Sequence, residues 1–85
     1  MQYVYILINN DGHFYAGCTS DLKRRVTEHN SGKSLYTSKR GPYKLIYYEA
    51  CISKKDAYAR EKYLKSGMGK RYIRNRLKEY MDESR

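Results

Sequence analysis

Tryptophan is absent from this chain, phenylalanine and proline occur once each, and there are two cysteines and six glycines. So little Pro and Gly, beside a 40% apolar fraction, argues against a disordered polypeptide. Cys18 and Cys51 are too few for a disulfide scaffold and lack metal-ligand spacing. They read as free thiols of a reducing compartment, packed as small hydrophobes. No apolar run approaches the ~20 residues of a membrane span. Met1-Gln2-Tyr3-Val4-Tyr5 lacks the basic segment and apolar stretch of a secretory signal. The expected location is the cytoplasm, with no membrane partner.

Acidic residues are scarce as well, nine against eighteen Lys and Arg, for a net charge of +9. The imbalance is local. Lys54 to Lys78 holds ten basic residues and two acids, Asp56 and Glu61, whereas the first 53 residues hold seven and four. A cationic last third suits a polyanion, and nucleic acid is the commonest, because neutralised phosphates release counterions. What the chain has in abundance is tyrosine, eleven in 85 residues. Each packs a ring while keeping a hydroxyl for a partner.

The length predicts one domain over residues 1–85 with a thin core. Gln2 to Ile8 and His13 to Cys18 read as strands joined at Asn9-Asn10-Asp11-Gly12, a hairpin signal. Thr19 or Ser20 can cap a helix reaching about Asn30, with Asp21 in its first turn. After a polar loop, Tyr43 to Ile52 reads as a third strand of undetermined direction. Ser53 caps a helix to about Ser66, Gly67-Met68-Gly69 breaks it, and a last helix runs from Lys70 to about Met81. The expected fold is α+β: a small three-stranded sheet flanked by helices in the order β-β-α-β-α-α.

Helical phase singles out several polar side chains. At about 100° per residue, Arg25 and His29 fall within ~60° of the apolar Leu22. A rim arginine and a capping histidine would explain this, and so would a cation and an imidazole aimed at a phosphate. Glu61 shares the stripe of Ala57, Leu64 and Met68. An inward carboxylate is costly unless it is paired or holds a metal. Lys65 can pair with it at i,i+4, and a lone carboxylate with waters also suits Mg²⁺. Tyr3 and Tyr5 share one strand face, as do Tyr15 and Gly17. A glycine inside a strand indicates a bulge or a close approach to the backbone.

In order and spacing these residues resemble the GIY-YIG nuclease family. Tyr3-Val4-Tyr5 stands for its first motif and Tyr15-Ala16-Gly17 for its second, followed by Thr19, Leu22, Arg25 and His29. Tyr36-Thr37 and Gly41-Pro42 are similar to the loop of its small bacterial single-domain members. Glu61 and Lys65 match the acidic helix, and Asn75 matches a late asparagine, although it lies about 160° from Leu77 on an ideal helix. The first motif lacks its Gly and Ile. Ala16 replaces Ile, and Cys18 stands where a Lys often follows the second motif.

The resemblance implies a metal-dependent DNA endonuclease. In it Glu61 would hold one Mg²⁺ or Mn²⁺ as a Lewis acid at the phosphate. Tyr15 would be the general base, Arg25 would stabilise phosphate charge, and Tyr5, His29 and Asn75 would complete the catalytic set. Gly17, Lys39, Arg40, Lys65, Lys70, Arg71 and Arg74 would contact nucleic acid. Branched or damaged DNA is an expected substrate, and a partner protein could supply targeting. The alternative is a catalytically weak or inactive nucleic-acid-binding module of the same fold, with an RNA binder as a third reading.

Overall fold

The computed structural model describes residues 1–31 and 42–83. The elements are β1 (Gln2–Asn9), β2 (Phe14–Thr19), α1 (Leu22–Asn30), β3 (Tyr43–Cys51), α2 (Lys54–Lys65), α3 (Gly67–Arg76) and α4 (Lys78–Glu83). Among the described residues, no helix is long and apolar enough to cross a membrane.

The hairpin forms where Asp11-Gly12 predicts it. Gly12 takes the positive φ, +82°, that a side chain would resist. Asn9 stabilises the turn, its Oδ1 accepting from the backbone N–H of Asp11 and His13. β3 pairs with β1 rather than β2, antiparallel, so the sheet order is β2-β1-β3. All three strands are thus antiparallel, and β2 is an edge strand.

The period of two sorts the sheet into two cores. Val4, Ile6 and Ala16 pack with Ala57 and Leu64 of α2 and Ile73 of α3. Tyr5, Leu7 and Tyr43 pack with Leu22 and Val26 of α1 on the opposite face, beside Tyr15 and Leu45. Helices therefore cover both faces.

The helix boundaries differ from the sequence reading in four places. Asp21, not Thr19 or Ser20, caps α1, accepting from the Arg24 N–H at 3.1 Å. Thr19 instead braces that turn, its Oγ1 accepting from the Asp21 N–H. The break after α2 falls on Ser66 rather than on the glycines. Its backbone N–H bonds to the Tyr63 carbonyl, and its side chain accepts from Gly69 N–H to start α3. Gly69 then lies inside α3, where a Cβ would strike the backbone of Tyr63 and Leu64. It is a packing glycine that lets α3 fold back onto the end of α2. Met68 consequently leaves the α2 stripe and is 70% exposed. Leu77 ends α3 as its C-cap, so the expected last helix is two segments, α3 and α4.

One polar network ties the α2 side together. Arg60 of α2 grips Glu49 of β3 with Nε–Oε1 and Nη2–Oε2 distances of 2.9 Å, and Tyr47 donates to the same carboxylate at 2.9 Å. Burial alone would raise the Glu49 pKa, but these bonds outweigh it and hold the carboxyl below its ordinary value. A carboxylate with a depressed folded pKa contributes stability above its unfolded pKa and loses it as pH falls through the folded value. Glu49→Gln is therefore expected to lower the thermal midpoint at pH 7 by about 4–8 °C, equivalent to about 1 kcal/mol for a partly exposed pair. The gap to wild type should close on acidification below about pH 4. Calorimetry at pH 7 and pH 3 checks this, and a pH-independent gap would contradict it.

Candidate active site

Tyr5 occupies the centre of the site. It is 1% exposed, and its hydroxyl lies 2.9 Å from Nε2 of His29, itself 2% exposed. Burial first, and then the negative charge of neighbouring groups, drives the Tyr5 phenol far above its ordinary pKa. Burial and then the charge of Arg25 hold His29 below its usual value, with Glu28 opposing. Both groups are thus neutral at pH 7, and with the proton on Nδ1 the tyrosine hydroxyl can donate to Nε2.

Tyr5 pairs in register with Gly17 on β2. A Cβ at Gly17 would run into the Tyr5 hydroxyl and ring. The close approach expected from a strand glycine is therefore made by the protein's own phenol, which lies over β2 at the sheet edge. Gly17, expected among the nucleic-acid contacts, is buried beneath it. Gly17→Ala should displace this ring and cost about 1–3 kcal/mol, the usual scale of overpacking. Urea unfolding reads the loss, and an unchanged midpoint would show that Tyr5 has room to move.

Tyr15 stands on the same face as Gly17 and packs edge-on against His29 at 4.9 Å between ring centres and against Tyr43 at 6.3 Å. Arg25 precedes His29 by about one turn. Its side chain is 45% exposed and its Nε lies 3.4 Å from Glu28 Oε1. It lies at the rim, one of the two positions helical phase allowed, close enough for its charge to act on both Tyr5 and His29.

Glu61 arrives from the other face. Its side chain is 19% exposed and its Oε2 lies 2.7 Å from Lys65 Nζ, so the i,i+4 pair and the inward position coexist. Its charge acts on Tyr5. It also faces Cys18, whose thiol is pushed up to about 11 by burial and then by the adjoining carboxylate. That thiol is neutral at pH 7 and supplies no cation there. Lys65 does: bonding to Glu61 raises its pKa despite burial, and it interacts electrostatically with Tyr15 and Cys18.

A cleft of about 380 Å³ adjoins this group, lined by Phe14, Tyr15, Ala16, Leu64, Lys65 and Lys70. Arg74 holds its guanidinium 5.2 Å from the Phe14 ring centre. A larger groove of about 600 Å³ on the α1 side, lined by Tyr3, Leu22, Val26 and Tyr48 among others, includes no member of the Tyr5 group.

The structure thus gathers Tyr5, Tyr15, Arg25, His29 and Glu61 at the β2 edge, with Lys65 and Lys70 along the adjoining cleft. Arg71 and Asn75 are exposed on α3. No hydrogen bond, ion pair or ring contact among the described residues joins Asn75 to the group. Lys39 and Arg40 lie outside the described residues. Sequence reading did not single out Tyr43 and Phe14 for the site. Alternation could have placed Phe14 beside Ala16 on the α2 face, but Tyr43 depends on a β3 register that no local pattern encodes.

Comparison with known proteins follows the same lines. A family model described as the GIY-YIG catalytic domain matches residues 1–75. A UPF0213 protein of Clostridium perfringens is 46% identical over 66 residues, 76% of this chain and 71% of its own length. One from Bacillus pumilus is 38% identical over 85 residues, covering 99% and 82%. The solution NMR structure of a Bacillus halodurans UPF0213 protein shares the fold with a TM-score of 0.54 at 42% identity, covering 86% of this chain and 82% of that one. A three-stranded antiparallel sheet between helices, a tyrosine on each hairpin strand and a family match across most of the sequence place this chain in the GIY-YIG family of nuclease domains.

Proposed function

We infer that the protein is a metal-dependent DNA endonuclease that hydrolyses a phosphodiester bond. The observation that carries this reading is the meeting, at one sheet edge, of a phenol from each hairpin strand, an arginine and histidine from α1, and a carboxylate from α2.

The donor set can be tested against a metal. Among the described residues no three His, Cys, Asp or Glu cluster together. That excludes a structural zinc cage there, which needs four protein ligands. It fits Mg²⁺ or Mn²⁺, which can bind through one carboxylate while water and phosphate oxygens fill the remaining positions. Glu61 is the residue that would hold it. When bound, such an ion would supply Lewis-acid stabilisation of charge on the scissile phosphate.

The protein's own groups then divide the work. Tyr5 stays protonated across the working pH range, so it serves as a fixed hydrogen-bonding group with His29 and not as the base. Tyr15 is the phenol that takes the proton of the attacking water. A phenol's ordinary pKa near 10 makes it a poor base at pH 7 unless cations favour its anion. Lys65 is such a cation. It stands in electrostatically for the charge that Cys18 does not provide. Arg25, exposed at the rim, meets the phosphate as negative charge develops. Lys65, Lys70 and Arg74 follow the backbone beyond the cut. Contacts of this kind carry no sequence information directly, so binding is salt-sensitive with little sequence preference.

The test is a cleavage panel of duplex, nicked and branched DNAs with Mg²⁺ or Mn²⁺, using Glu61→Ala as control. Cys18 favours a second reading, a binding module without a working base. That reading is supported if highly purified wild type binds every DNA in the panel and cuts none.

A further inference from the structure

We propose that Arg60 is a positioning residue whose grip on Glu49 sets the roll of α2 and thereby presents Glu61 to the site. This rests on the nuclease reading for its consequence, but not for its geometry.

Helix α2 packs across the sheet, chiefly on β1 and β2, and also reaches β3. Ala57 and Leu64 pack with Val4 and Ile6 of β1, flanked by Ala16 of β2. Two consecutive positions between Ala57 and Leu64, Arg60 and Glu61, reach opposite sides of the sheet. Arg60 reaches Glu49 on β3, and Glu61 faces Cys18 on β2. With order β2-β1-β3, those outer strands stand about 9–10 Å apart. Consecutive helical residues diverge by about 100°, which is what this straddling geometry requires.

Apolar contact beneath α2 is non-directional and tolerates a small roll. The Arg60–Glu49 fork is directional. Nε lies 2.9 Å from Oε1 and 3.2 Å from Oε2, and Nη2 lies 2.9 Å from Oε2. The guanidinium also lies 5.1 Å from the ring centre of Tyr63 and 4.8 Å from that of Tyr72. Tyr47 donates to Oε2 of the same carboxylate at 2.9 Å. A side-chain tip rides about 5–6 Å from a helix axis, so a roll of about 15° moves it by about 1.5 Å. A misplacement of ~1 Å can cost about 100-fold in rate. A pin on the β3 side therefore controls a carboxylate used on the β2 side.

The decisive variant is Arg60→Lys, which keeps the charge and the stem but cannot form the planar fork. Glu49→Gln probes the same bond from β3 should Arg60→Lys fail to fold. The first readout needs no activity: NMR contacts between the side chains of Glu61 and Cys18, on the opposite edge from the substitution. They should weaken in either variant while those between Ala57 and Ile6 persist. The second is a plasmid-nicking rate, expected to fall about ten-fold with KM for DNA within two-fold. The third is Mn²⁺ affinity, expected to fall several-fold.

Unchanged Glu61–Cys18 contacts in a folded variant overturn the proposal, as does a rate loss that only follows the folded fraction. If wild type cleaves no DNA, the nuclease reading fails, while the NMR contacts still decide whether Arg60 places Glu61.

Discussion

Glu61→Ala is expected to abolish metal-dependent cleavage while leaving DNA affinity within about two-fold of wild type. The variant should fold. The Glu61–Lys65 pair is a partly exposed i,i+4 contact worth about 0.3–0.5 kcal/mol, and alanine is a better helix former than glutamate. Binding should survive because the substitution removes one acid, taking the net charge from +9 to +10, and frees Lys65 for phosphate. Cleavage should not survive, because Glu61 is the one carboxylate in the group that meets at the β2 edge, and an ion held through a single carboxylate has no replacement there. Plasmid nicking with Mg²⁺ or Mn²⁺, beside fluorescence anisotropy on the same DNA, separates the two effects. Undiminished cutting by the variant would remove Glu61 from the site.

Tyr15→Phe should slow cleavage by at least ~100-fold, the scale of a lost general base. Phenylalanine keeps the ring that packs against His29 at 4.9 Å and Tyr43 at 6.3 Å, so only the hydroxyl is lost. The pH–rate profile of the variant should differ in shape from that of wild type, because a general base has been removed. A pH–rate profile of unchanged shape and height would rule out Tyr15 as the base.

These two substitutions test opposite faces of the sheet. Tyr15 points to the α1 side and Glu61 descends from the α2 side. They can act together only at the edge strand, where neither face is closed off. Gly17 permits this. Without a side chain there, Tyr5 extends over β2 and feels charges from both directions, Arg25 from one helix and Glu61 from the other.

Much of this was legible before folding. The positive φ of Gly12, the strand faces of Tyr3, Tyr5, Tyr15 and Gly17, and the extent of α1 all follow from local periodicity and turn chemistry. The inward position of Glu61 was readable from its place between Ala57 and Leu64. Helix ends were less legible. Asp21 displaced Thr19 and Ser20 as a cap, and Ser66 took the helix break from the glycines, because capping depends on backbone angles that several adjacent residues could have adopted. Met68 fell on a continuous stripe only so long as α2 was imagined to run through it.

Tyrosine alternation, helical phase and the order of the elements were determined by the chain alone, because each depends on residues within a few positions of one another. The strand order β2-β1-β3, the antiparallel direction of β3, the Arg60–Glu49 fork and the cation that Lys65 brings toward Tyr15 were decided only by tertiary structure. Each joins segments separated along the sequence. Their pairing depends on which buried faces fit together, a condition that no local window contains.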